Sequence, residues 1–356
     1  MGVVFGGRSG EHAVSLMSAR SVLAALDPER FEAVPLGIDR QGRWLLPADA
    51  ERALAAGPGA VPGHAISLRP GMPEALLAEG AGAAPVDVVF PVLHGPNGED
   101  GTMQGLLELC GLPYVGAGVL GSALGMDKWA QKDILVRHGL PTPVYLGVRR
   151  AAWRQDPAGV LAGVQERVGL PCFVKPANLG SSVGITRADD LAGLGRALAL
   201  AAHYDRKLIC ERAVENAREV ECGILGNESP RASVPGEIVP HAAFYDYDAK
   251  YQDGGADLIV PAELSADVTH RIQELALRAF AALDCAGMAR VDFFVRRDTQ
   301  EVLINEINTI PGFTERSMYP RLWAASGLPY PELLAQLIYL ALERHADQPV
   351  SGQEGP

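Results

Sequence analysis

Asp292, Glu306 and Asn308 are the residues whose types and spacing point most directly to chemistry. They lie in MARVDFFVRRDTQEVLINEINTIPGFTERSM, residues 288–318, which reads as two strands joined by the polar turn Arg296-Arg297-Asp298-Thr299-Gln300. Side chains alternate faces along a strand with a period of two. On that period Arg290, Asp292 and Phe294 share one face of the first strand, and Ile304, Glu306 and Asn308 share one face of the second. If the strands pair, two carboxylates, a carboxamide and a guanidinium converge. Hard oxygen donors without Cys or His suit Mg²⁺, an ion commonly held by a few carboxylates together with substrate phosphates. The opposite face, with Val291, Phe293, Val295 and Val302, is apolar enough to be the core side. A hairpin with its polar face simply in water is the competing reading.

A second group suits phosphate. Phe173-Val174-Lys175 forms a strand, and the loop Asn178 to Gly184 follows. Gly180 and Gly184 allow backbone amides to turn inward as an anion-binding nest, Ser181 and Ser182 add hydroxyl donors, and Lys175 supplies a point charge at the loop's base. The lysine precedes the glycines and no G-K-[ST] follows, so this is not a Walker P-loop. A plain glycine hairpin fits the loop taken alone. Glu11 begins a helix after Gly6-Gly7-Arg8-Ser9-Gly10, where it serves equally as an anion at the helix dipole or as a binding carboxylate. Glycines at 6, 7 and 10 miss the dinucleotide register.

These residues need elements to hold them. Val3-Val4-Phe5 and Asp87 to Leu93 read as buried strands, the second running into the polar loop HGPNGEDG at 94–101. Such a loop at the carboxyl end of a strand is where open α/β sheets place ligands. Residues 48–85, rich in Ala, Gly and Pro, read as short helix and surface loop. A helix over 126–138 carries Asp127, Lys128 and Lys132; another spans 188–202. Strands follow at Lys207 to Glu211 and Glu219 to Leu225, with helices over 269–283 and 331–344. The aromatic and charged run Phe244 to Tyr251 has no period and reads as a long loop of the kind that forms lids.

Composition limits what such a site can belong to. At 356 residues the chain has room for two or three domains, and 48% hydrophobic with 21% charged residues is ordinary for a globular protein. A net charge of −12 gives no general attraction for nucleic acid or an anionic membrane. The five cysteines are scattered and form neither a disulfide framework nor a zinc spacing, which implies a reducing cytoplasm. No signal peptide precedes the first strand, whose closeness to Met1 suggests a natural start a few residues upstream. No apolar run reaches the roughly 20 residues of a membrane helix.

HGPNGEDG (94–101), MDK (126–128), VKPANLGSSVGI (174–185), FYDYDAKY (244–251), MARVDFF (288–294), NEINTIPGFT (305–314) and SMYP (317–320), in this order, resemble the D-alanine–D-alanine ligases of the ATP-grasp superfamily. The likeness runs from about residue 3 to 342, apart from the 48–85 region. It implies an α/β and α+β fold of three domains: an N-terminal parallel-sheet domain over 1–125, a central ATP-grasp domain over 126–214 and a C-terminal ATP-grasp domain over 215–345, with a disordered tail at 346–356. ATP would lie between the last two. The resemblance implies that Lys128 and Lys175 contact ATP phosphates and base, that Ser181 and Ser182 in the 180–184 loop cover the γ-phosphate, and that Glu211, the backbone near Val214, and Glu219 hold adenine and ribose. Lys250, Phe294 and Asn305 complete the nucleotide site, and Asp292, Glu306 and Asn308 bind two Mg²⁺, with Mn²⁺ a substitute and a monovalent cation as a further activator. Glu11, with His94 nearby, would hold the ammonium of the first D-alanine; Arg290 and the Gly312 amide would stabilise the oxyanion; Ser317 and Met318 would position the second D-alanine. Tyr251 belongs to the loop that closes the site, and Arg212 stands where a lysine is frequent. A cytoplasmic homodimer without nucleic-acid or membrane partners is implied as well.

Two rivals remain at this level: another carboxylate–amine ligase, including depsipeptide-forming relatives that accept D-lactate, and a non-catalytic nucleotide-binding protein. Retention of Asp292, Glu306 and Asn308 weighs against the second, since binding alone needs no two-metal site. Tyr251 weighs against D-lactate. Replacing it, Tyr251→Phe, is expected to weaken loop closure and relax discrimination against D-lactate in a phosphate-release assay; an unchanged rate and substrate profile would remove Tyr251 from the site.

Overall fold

The structure is a computed structural model that describes residues 1–47, 63–72, 75–80, 82–83, 86–180, 183–241 and 255–347. Ser181, Ser182, Lys250, Tyr251 and the tail from 348 onward lie outside the described residues.

The first sheet grows from β1 (Gly2–Gly6), whose Val3, Val4 and Phe5 are completely buried because both faces are covered. After α1 (His12–Ala25), β2 (Val34–Ile38) pairs parallel to β1. β3 (Trp44–Leu46), β4 (His64–Leu68), β5 (Leu76–Ala78) and β6 (Gly82–Ala83) continue outward as antiparallel neighbours. The 48–85 region, expected as helix and loop, therefore widens the sheet where it is described. Its apolar residues Ile66, Leu76 and Ala78 are buried against a core that local sequence does not reveal. On the other side β7 (Val89–Pro91) runs parallel to β1. The chain leaves β1 for β2 on one side and β7 on the other, so the loops after β1 and β7 meet at a topological switch point. Helices α2 (Thr102–Leu109) and α3 (Val119–Met126) follow.

Asp127 then caps α4 (Lys128–Arg137), accepting from the Ala130 amide at 3.0 Å. The second sheet is antiparallel throughout, in the order β10-β9-β11-β8: β8 (Tyr145–Arg149), β9 (Cys172–Pro176), β10 (Thr186–Ala188) and β11 (Lys207–Arg212). α5 (Arg150–Gln155), α6 (Pro157–Arg167) and α7 (Leu191–Tyr204) connect these strands, α6 and α7 packing on the sheet. Pro157 at the first position and Asp156 accepting from the Gly159 amide at 2.9 Å start α6.

The third sheet is built from β12 (Ala217–Gly226), β13 (Arg231–Ala232), β14 (Gly236–Pro240), β15 (Ala256–Ile259), β16 (Gly287–Arg296) and β17 (Val302–Asn308). α8 (Ala266–Ala282) lies on one face, burying Val268, Ile272, Leu275, Ala276, Ala279 and Phe280 at helical spacing. α9 (Met318–Ala325) and α10 (Tyr330–Ala346) close the chain. No helix among the described residues is long and apolar enough to cross a membrane.

The first and third sheets do not have separate cores. Val3, Phe5 and Phe90 join Phe313, Tyr319, Trp323 and the apolar face of α10 in one cluster. Phe313 is fully buried, edge-on to Phe90 at 5.5 Å and within 6 Å of the Tyr319 and Tyr330 rings. Phe313→Ala is expected to cost about 3–5 kcal/mol in equilibrium urea denaturation, as for other buried aromatic truncations. A loss under about 1 kcal/mol would show that this ring does not join the two units.

Candidate active site

One cleft of about 740 Å³ runs between the three sheets, lined by the loops after β1 and β7, the start of α4, the polar face of β12, β16 and β17, and the loop before α9. Its floor is a row of acids on three adjacent strands. Glu221 pairs with Asp292 across β12 and β16, and Asp292 with Glu306 across β16 and β17. A register shift falls between Asp292 and Phe293, so Phe293 pairs with Ile304 and Asn305 is the extra residue of a β-bulge. The bulge reverses the alternation. Ile304 was expected to share a face with Glu306 and Asn308; it is fully buried in the core instead, beneath α8. Arg290, Asp292 and Phe294 do share a face, and all three line the cleft.

Cations hold the row together. Arg290 donates from Nε and Nη2 to the two Asp292 oxygens at 2.7 Å each and stands 3.0 Å from Glu221. Burial opposes its charge, yet Asp292 and Glu221 outweigh that and raise the guanidinium pKa well above the usual value. Lys128 Nζ donates to the Leu179 carbonyl at 2.9 Å and lies 3.3 Å from Glu306. Asn308 is placed with Nδ2 3.0 Å from Asp292 Oδ2; rotating the amide presents its oxygen instead. Among the described residues no three His, Cys, Asp or Glu side chains cage an ion unaided. Two carboxylates and an amide oxygen on one face fit an ion completed by phosphate oxygens and water.

Behind this floor sits a buried pair from the second sheet. Lys175 on β9 donates to Glu211 on β11 at 2.7 Å and to Asn305 at 3.4 Å, so the bulge residue reaches across to the central sheet. Burial alone would depress the Lys175 ammonium, but Glu211 and Glu306 outweigh it and hold its pKa above the ordinary value. Burial likewise penalises the Glu211 carboxylate, and Lys132 and Lys175 bring its pKa down. Glu219 lines the cleft, and Val214 lies on the link from β11 to β12. Arg212 points away, donating to the Val168 carbonyl at 2.6 Å.

At the opposite wall Glu11 is pinned between two glycines. A Cβ on Gly95 would sit 2.6 Å from a Glu11 oxygen, and Gly95 has φ +78°; a Cβ on Gly180 would sit 3.1 Å from the same oxygen. The loops after β7 and β9 can close on the carboxylate only because both positions lack a side chain. His94 is buried beside Glu11, its Nε2 3.1 Å from Ser18 Oγ; burial lowers its pKa against the pull of Glu11. Gly312, Ser317 and Met318 line the far end, where Ser317 Oγ accepts from the Thr314 amide at 3.1 Å and shapes the turn.

The sequence reading gave no role to Lys132, Glu221, Glu99 or Gln131. Lys132 lies one helical turn after Lys128, and Glu221 two residues after Glu219 on the same strand face, so both signals were present in the spacing. Glu99 belongs to the HGPNGEDG loop; desolvation and the neighbouring Glu11 push its carboxyl up to about 8. Gln131 bonds both backbone groups of Ile307, at 3.1 and 3.2 Å, a contact no local pattern announces.

A mixed sheet with a parallel centre, followed by two antiparallel α+β units clasping a cleft of lysines, acids and a glycine loop, defines an ATP-grasp ligase. The family model described as D-ala D-ala ligase N-terminus matches residues 1–117, and that described as D-ala D-ala ligase C-terminus matches residues 134–339. A D-alanine–D-alanine ligase from Deinococcus radiodurans is 51% identical over 339 residues, 95% of this chain and 97% of that protein. The solved D-alanine–D-alanine ligase from Coxiella burnetii superposes with a TM-score of 0.86 at 39% identity, covering 98% of this chain and 94% of that one. A D-Ala:D-Ser ligase from Enterococcus faecalis gives 0.85 at 35% identity, covering 96% and 98%. The chain belongs to the D-alanine–D-alanine ligase family, ATP-dependent ligases that use a divalent metal.

Glu306→Gln is expected to lower metal-dependent turnover by about 10²-fold or more while leaving thermal unfolding unchanged, a loss of the size seen when a preorganised charge is removed. Turnover near the parent rate would refute the metal assignment.

Proposed function

We propose that this cleft joins two D-alanine molecules, with the residues acting as follows. Lys128 and Lys175 hold the triphosphate and base of ATP, Glu211, the Val214 backbone, Glu219, Phe294 and Asn305 hold adenosine, and Ser181, Ser182 and Lys250 cover the phosphates. Asp292, Glu306 and Asn308 would hold Mg²⁺, which when bound neutralises charge on the transferring phosphoryl group. Glu11 holds the ammonium of the first D-alanine beside His94. The observation that carries this reading is the placement of Glu11, Arg290, Lys128 and the acid row around one cleft.

A carboxylate is a poor electrophile. An oxygen of the first D-alanine attacks the γ-phosphorus, ADP leaves, and a D-alanyl phosphate results. The amine of the second D-alanine, placed by Ser317 and Met318, then attacks the carbonyl carbon, loses its proton, and phosphate departs. Both steps gather negative charge on oxygen. Arg290, locked by Asp292 and Glu221, and the Gly312 amide meet that charge without reorganising, and single donors of this kind are worth about 3 kcal/mol. Tyr251 acts on the closing loop. Domain boundaries near 126 and 214, a cytoplasmic homodimer, and Mn²⁺ or a monovalent cation as further activators belong to the same proposal. The D-Ala:D-Ser ligase among the structural relatives makes the acceptor the point to test. Incubation with ATP, Mg²⁺ and D-alanine is expected to yield a dipeptide by mass and stoichiometric phosphate, with far less from L-alanine or D-lactate. Phosphate release with D-serine or D-lactate matching that with D-alanine would overturn the acceptor assignment.

A further inference from the structure

Lys132 is almost completely buried, at 1% exposure, yet its Nζ makes no hydrogen bond in the structure. The nearest acceptor is Glu211 Oε1 at 3.5 Å, and that oxygen is buried without a hydrogen bond too. Its partner oxygen, Oε2, takes the short 2.7 Å bond from Lys175. A lysine ammonium is a point charge that engages one carboxylate oxygen at a time, so the two oxygens of Glu211 face different ammoniums: Oε2 bonds Lys175, and Oε1 faces Lys132 at a distance too long for a hydrogen bond. The carboxylate plane is therefore set by two cations, and Oε1 keeps its accepting capacity. Lys175 is left oriented by Oε2 and by Asn305.

Lys132 is fixed by the helix that carries it. Lys128 and Lys132 stand at i and i+4 of α4, on one face and about 6 Å apart along the axis. Lys128 addresses Glu306 of the third sheet, and Lys132 addresses Glu211 of the second. Between them Gln131 ties α4 to the Ile307 backbone. One rigid helix face thus meets an acid of the third sheet and an acid of the second.

We infer that Lys132 is a positioning residue which, acting through Glu211, sets the preference for a nucleotide base bearing an exocyclic amino group over one bearing an oxo group there. An ionised oxygen with a free lone pair accepts from a 6-amino group and repels a 6-oxo group. This rests on the proposed placement of the adenine beside Glu211. Without Lys132 the carboxylate turns toward Lys175, the acceptor is withdrawn, and the two bases become less distinguishable.

The test is steady-state kinetics of the full chain with ATP and with GTP for K132M, K132R and E211Q, alongside thermal unfolding. For K132M the KM for ATP is expected to rise about tenfold and the ATP-over-GTP ratio of kcat/KM to fall by a similar factor, the scale of one hydrogen bond to a charged group. The KM for D-alanine should stay put, and K132R should recover most of the ratio. An unchanged ATP-over-GTP ratio in folded K132M, or equal losses for both nucleotides, overturns the inference. Should K132M not fold, the K132R ratio decides alone: retention near the parent supports the inference, and a fall as deep as that of E211Q overturns it. E211Q separates the two levels: if it leaves the ratio unchanged, the placement of adenine beside Glu211 is wrong, whereas a changed ratio in E211Q with none in K132M removes only Lys132.

Discussion

Glu221, Asp292 and Glu306 occupy directly opposed positions on three adjacent strands, the arrangement in which like charges repel most. At a separation of about 5 Å and an effective dielectric near 20, each neighbouring pair costs roughly 3 kcal/mol. The fold does not avoid this cost; it meets it with cations drawn from different elements. Arg290 comes from the row's own central strand and bridges two of the acids. Lys128 comes from a helix of the neighbouring unit and reaches the third. Three acids facing two cations leave one negative charge on the row, the charge that a divalent ion would offset.

That constraint explains the prominence of α4. Its first residue joins the glycine loop, through the Lys128 amide to the Ala177 carbonyl and Lys128 Nζ to the Leu179 carbonyl, to the acid row. One turn later Lys132 faces the central sheet, and Gln131 clips the helix to the edge strand between them. Asp127 both caps the helix and pairs with Lys207 on β11, so the start of α4 is registered against the central sheet. A displacement of this helix would unsettle both ends of the nucleotide cleft together.

The shared core beneath the cleft serves a similar purpose. Phe313, one residue past Gly312, is wedged among aromatic rings from the first and third units, and Tyr330 donates to its carbonyl at 2.7 Å. The loop that presents the Gly312 amide and Ser317 is therefore anchored in packed interior rather than left to find its place on binding. Preorganisation of this kind is what gives a backbone amide leverage on a developing oxyanion.

Much of the molecule was legible from residue order. The hairpin with its polar turn, the buried strand feeding HGPNGEDG, the amphipathic helix before that hairpin and the motifs along the chain follow from local alternation, helical spacing and turn chemistry. Those are properties of near neighbours, which a linear string preserves. Tertiary structure alone decided the rest. The bulge at Asn305 sent Ile304 inward and let Asn305 reach Lys175, because register is set by the partner strand and not by the strand itself. The strands of the 63–83 region owe their form to the sheet they extend. The pairing of Lys132 with Glu211 joins positions 79 residues apart, and the pinning of Glu11 joins residues 11, 95 and 180. The sequence determined which charges and glycines this protein owns; the packing of three sheets determined which of them face one another, since opposition across a cleft depends on distances that exist only once the chain has folded.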